Sequence, residues 1–103
     1  MFKRPADWRG AADPRWDAAA AALEGRVRTL ASELGEVHIH GGNAVAAVEQ
    51  ARKWRAVMLS ELDCLGDWFA GGRQAKRYLA LQALLSDGGD LQVAIQHTVT
   101  IND

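Results

Sequence analysis

A chain of 103 residues, 49% hydrophobic and 24% charged, has enough apolar surface for one self-supporting core and too much for wholesale disorder. Its formal net charge of -1 at pH 7 lacks the basic excess that nucleic-acid and membrane-surface partners usually demand. A single cysteine, Cys64, excludes an internal disulfide framework and favours a reducing compartment. No stretch approaches the roughly 20 apolar residues of a membrane span and neither end reads as a targeting address, so the expectation is a cytoplasmic protein with no membrane role. The alanine- and arginine-rich usage points to a GC-rich bacterial or phage genome.

Residues 1–12 read as an irregular N-terminal arm, carrying Pro5, Gly10 and two aromatic anchors, Phe2 and Trp8. Residues 13–103 read as a single globular domain. Asp13-Pro14 is a helix start, with aspartate as N-cap and proline at the first helical position. A helix is predicted over 14–34, stopping at Gly35. Along it Trp16, Ala20, Leu23, Val27, Leu30 and Leu34 recur with spacing 4, 3, 4, 3, 4, a heptad seam that calls for a partner helix. Glu24 and Arg28 form an i,i+4 pair on the exposed side, and Gly25 costs a little helix stability.

Residues 36–40, Glu-Val-His-Ile-His, alternate polar and apolar between glycines and predict a short strand. The longest helix is predicted over 43–69. Its apolar stripe comprises Ala44, Val48, Ala51, Met58, Leu59, Leu62, Leu65 and Phe69, opposite Glu49, Lys53, Ser60, Asp63 and Asp67. Arg55 interrupts the stripe. A buried guanidinium needs a counter-charge, which the sequence offers as Glu33, Glu36, Asp90 or an acid from a partner, unless Arg55 snorkels to the edge. Gly66 is placed to bend the last turn and Gly71-Gly72 to end it.

A third helix is predicted over 73–86, with Tyr78, Leu79, Leu81, Leu84 and Leu85 apolar and Arg73, Lys76 and Arg77 clustered at its start. Asp87-Gly-Gly-Asp90 then makes a turn. From 91 to 101 the odd positions read Leu, Val, Ile, His, Val, Ile and the even ones Gln, Ala, Gln, Thr, Thr, which predicts a long C-terminal strand. The strand at 36–40 covers less than half of it, so the remainder requires pairing outside the chain.

Three groups of residues invite chemistry. Glu36, His38 and His40 share one face of the predicted strand and are donor types for a zinc or iron site, but His97 falls on the apolar face of the other strand and the three histidines do not converge. Gly41-Gly42-Asn43 precedes a long helix, where an anion could be cradled, yet no Walker lysine or G-x-G-x-x-G pattern accompanies it. Arg73, Lys76 and Arg77 with Arg52, Lys53 and Arg55 form a basic set with Trp54 or Tyr78 for stacking, diluted by Glu49, Glu61, Asp63 and Asp67. Trp16 and Trp54 read as core.

The fold expected from sequence is therefore α+β and predominantly helical: three amphipathic helices, a short strand and a long C-terminal strand. The function expected is a non-enzymatic interaction or assembly module. It homo-oligomerises, or binds another protein chain, through β-augmentation by the C-terminal strand and a Trp-bearing helical surface. Its interface residues are Trp8, Trp68, Arg55, Val93, Ile95, His97, Val99 and Ile101. No cofactor or metal is expected. The alternatives are a small metal-dependent or acid-base enzyme centred on His38, His40 and Glu36, and a nucleic-acid-associated regulator using Arg73, Lys76 and Arg77.

Overall fold

The structure, a computed structural model, describes residues 3–102, with the backbone alone at 101 and 102. Met1, Phe2 and Asp103 lie outside the described residues, and with Phe2 goes one of the two expected anchors of the arm. Four helices follow one another: α1 (Pro14–His40), α2 (Ala44–Leu65), α3 (Arg73–Leu85) and α4 (Asp90–Asn102). Neither expected strand is present among the described residues, so the α+β expectation is corrected to an all-helical fold.

Helix α1 begins as its sequence dictates. Asp13 is extended, and its carboxylate accepts from the backbone N–H of Arg15 at 2.9 Å, ahead of Pro14. The helix does not stop at Gly35. Its seam continues from Leu34 to the half-buried Val37, and that packing outweighs the roughly 1 kcal/mol that a helical glycine costs. The expected strand at 36–40 is thus the end of α1, which terminates at Gly41, where φ is 80°.

Helix α2 is capped by Asn43, whose side-chain oxygen accepts from the N–H of Ala46 at 3.1 Å. It ends at Leu65 rather than 69. Beyond it Trp68 and Phe69 leave the helical path, Trp68 becoming buried and Phe69 lying 6.1 Å from Trp16 and 5.2 Å from Tyr78, ring centre to ring centre. Gly71 and Gly72, with positive φ, redirect the chain into α3.

The C-terminal segment is the largest correction. The same eleven residues that alternate with period two also carry Leu91, Ala94, Ile95, Thr98 and Val99 at helical spacing, and this second pattern is the one realised. Leu91, Ile95 and Thr98 are buried and Ala94 and Val99 half-buried, whereas Val93 is 54% exposed. Thr98 and Thr100 settle into the helix by donating their hydroxyls to the carbonyls of Ala94 and Gln96, at 2.8 and 2.9 Å. A helix satisfies its backbone internally, so no strand edge is left to pair and β-augmentation is withdrawn.

The helices form a rod of 50 × 21 × 17 Å. α1 and α2 are antiparallel: the Trp16 indole N–H donates to the carbonyl of Leu65 at 2.9 Å near one end, and Val37 lies beside Gly42 at the other. α3 and α4 run in succession along the same two helices as one broken third rod. The Gln74 side chain donates to the carbonyl of Asp13 at 3.3 Å, setting the start of α3 beside the start of α1. His97 and His38 meet at the far end. Between the three rods lie Leu23, Leu34, Met58, Leu65, Leu81, Leu85, Leu91 and Ile95, all essentially inaccessible, each contributing roughly 1.5–3 kcal/mol by its burial. Among the described residues no helix is long and apolar enough to cross a membrane.

Candidate interaction face and the histidine end

The third rod covers one side of the α1–α2 pair and leaves the other open. On that open side α1 presents Ala18, Ala22, Gly25 and Thr29, spaced 4, 3, 4, and α2 presents Gln50, Trp54, Val57 and Glu61, spaced 4, 3, 4. Trp54 is 40% and Val57 44% exposed. Between the helices runs a groove of about 410 Å³ lined by Ala22, Gly25, Thr29, Glu33, Gln50 and Trp54, with Leu30 and Arg26 also contributing. Beside it the carboxylate of Glu61, 9% exposed, receives two bonds from the Arg26 guanidinium, at 3.1 and 2.6 Å. This bidentate pair ties α1 to α2 and gives the buried carboxylate its hydrogen-bond partner.

Trp54, expected in the core, is thus half out in solvent, and Glu61, expected to dilute the basic set of α2 and α3, is buried against Arg26 of α1. The signal for each was available. A helix of a three-rod bundle has two flanking rows as well as its central stripe, and Trp54, Val57 and Glu61 occupy one flanking row of α2.

The expected interface residues scatter when placed in the fold. Trp68 is buried and meets the half-buried Trp8 edge-to-face, ring centres 6.3 Å apart, while the Trp8 indole N–H donates to the carbonyl of Ala11. Ile95 is core, Val99 is half-buried and Val93 points outward. The side chain of Ile101 lies outside the described residues. Arg55 donates to the carbonyl of Leu85 at 2.8 and 3.2 Å and to the Asp87 carboxylate at 3.3 Å. None of the acids anticipated for it is used. Instead it caps the C-terminal end of α3 and ties that end to α2.

Two histidines separated by one residue face together on a strand and lie about 200° apart on a helix. Accordingly Glu36 and His40 pair with each other at 3.1 Å, whereas His38 turns away toward α4 and its ring meets that of His97, centres 5.0 Å apart and planes at 62°. The set Glu36, His38, His40 is therefore not assembled. No group of three or more potential metal ligands occurs among the described residues. Asn43 spends its side chain on the first turn of α2, leaving the Gly41-Gly42 turn as the break between helices.

At the other end Asp17 gathers the basic start of α3. Its carboxylate accepts from Arg73 at 3.3 Å and from the Gln74 amide at 3.5 Å, and Arg77 lies 3.8 Å away. Two of the three cations expected to contact phosphate are thus engaged by an acid of α1. No protein-family model, no curated protein and no solved structure matches this chain.

Proposed function

We propose that the protein is a non-enzymatic assembly module that self-associates through the open α1–α2 face. The observation that carries this is the exposure of Trp54 and Val57 beside a row of small side chains on the same face. Large apolar groups are rarely left solvated together without a partner, and tryptophan is the residue most enriched at binding hot spots.

A second copy is the occupant whose shape complements this face. A two-fold axis parallel to the rods sets α2 of one copy over α1 of the other and keeps each residue at its own height. The Trp16–Leu65 bond at one end and the approach of Val37 to Gly42 at the other fix the heights: Val57 lies level with Leu23 to Gly25 and Trp54 level with Arg26 to Arg28, alongside Ala22, Gly25 and Thr29. Across the axis the knobs meet the small row. The four central helices then form an antiparallel bundle. The same reading assigns the module to the cytoplasm, supported by the free thiol of Cys64.

Light scattering across a concentration series tests this. The expected result is a mass near twice 11.2 kDa for the unaltered chain, with Val57→Glu and Trp54→Ala each shifting the monomer–dimer balance by tenfold or more toward monomer. A chain that stays monomeric up to about 100 μM, or a dimer indifferent to both substitutions, removes the proposal.

A further inference from the structure

We infer that His38 and His97 form a two-imidazole chelate for a first-row divalent ion of the Cu²⁺, Ni²⁺ or Zn²⁺ class, clasping the ends of α1 and α4. The inference is independent of the self-association face, since both histidines lie where α1 meets α4. Imidazole is the side chain that suits these ions, and an ion sits about 2.1 Å from a ligating ring nitrogen. Its distance from the ring centre is then about 3.2 Å. Two rings bound at the 90 to 110° of octahedral or tetrahedral geometry have centres roughly 4.5 to 5.2 Å apart. The observed separation is 5.0 Å with the ring planes at 62°, an edge-to-face contact whose centre-to-centre distance falls within that range.

The two ligands come from elements 59 positions apart in sequence, so a bound ion links the last turn and a half of α1 to the second half of α4. Both histidines are exposed, which gives the ion an entry path and leaves its remaining positions to water. This is a stabilising clip and not a catalytic centre. Its effect appears as mass-action stabilisation of the folded chain, because the unfolded chain does not hold the two imidazoles together. The other imidazole site that must be separated from it is His40 with Glu36, one turn apart on α1.

The test is thermal unfolding of the full chain with and without Zn²⁺, each variant compared with its own ion-free Tm. The expected result is a rise of about 3 °C or more at saturating Zn²⁺. His38→Ala and His97→Ala should each abolish it, and His40→Ala should leave it intact. Cu²⁺ spin resonance should report two nitrogen ligands in the unaltered chain and no more than one in either variant. No rise in the unaltered chain, a rise that survives both substitutions, or a rise lost with His40→Ala overturns the inference. So does a Zn²⁺-dependent doubling of mass that needs both histidines, since the ion would then bridge copies rather than helices.

Discussion

A Cβ built on Gly89 would lie 2.1 Å from the carbonyl oxygen of Leu84 and 2.6 Å from that of Ala83. The requirement for glycine here is one of space: the chain doubles back so tightly after α3 that its backbone touches the last turn it has just left. Its N–H donates to Ser86 at 3.0 Å and its carbonyl accepts the first bond of α4 from Val93 at 3.0 Å, so the residue cannot shift without loosening both. Gly89→Ala should destabilise the fold by about 3 kcal/mol in urea denaturation, while Gly88→Ala, with open space around its Cβ, should cost under about 1 kcal/mol. Asp13 makes a second residue-level case. The Arg15 side chain, and then the Arg15 backbone N–H, hold its carboxyl below the usual carboxylate value. A depressed folded-state value means stability present above about pH 4 and lost as the pH falls through that value. Asp13→Asn keeps the capping oxygen but removes this titration, so the variant's Tm should fall less steeply than the parent's between pH 4 and 2. The Asp13 cap was legible from two adjacent residues. The partner of Arg55 was not, because that partner is chiefly a backbone carbonyl, which every residue carries and no side chain signals.

For the elements, legibility depended on how many periods a segment admits. The seam of α1 satisfies only a helical reading, and every one of its positions from Trp16 to Leu34 is buried. Residues 91–101 satisfy two. Valine, isoleucine and threonine favour strands, and alternation reinforced that choice, but nothing in the chain could pair with so long an edge, and packing against α1 and α2 decided for the helix. The two readings assign opposite roles to neighbouring residues. A strand puts Val93 and Ile95 on one face; the helix buries Ile95 and exposes Val93. Ile95→Ala should therefore cost about 2–4 kcal/mol of unfolding free energy and Val93→Ala within about 0.5 kcal/mol. Equal losses at the two positions would count against α4. The segment 36–40 failed for a related reason: five residues cannot distinguish alternation from the tail of a helix whose glycine looks like a stop.

At the scale of the whole molecule the candidate face was the least legible feature, although all its residues are in plain view. Its two rows become a single surface only when α1 and α2 lie antiparallel in one register, and that register is fixed by the Arg26–Glu61 bond and the Trp16 indole, contacts between residues 35 and 49 positions apart. The histidine pair is similar, since His38 and His97 meet only because the third rod runs parallel to α1. Periodicity identifies what each helix hides. Which exposed groups become neighbours follows from topology, and topology here turned on the state of the final segment.

The break in the third rod also bears on how the molecule folds. α1 and α2 have 27 and 22 residues, long enough to sustain appreciable helix before tertiary contact, whereas α3 and α4 have 13 each, at the limit below which an isolated helix is marginal in water. An unbroken helix in their place would nucleate once. The corner at Gly89 instead requires two nucleation events, each sustained by docking onto α1 and α2. The lengths predict that α3 and α4, cut away from the α1–α2 hairpin, are largely unfolded in water, so that the last third of the chain draws its helicity from packing on that hairpin.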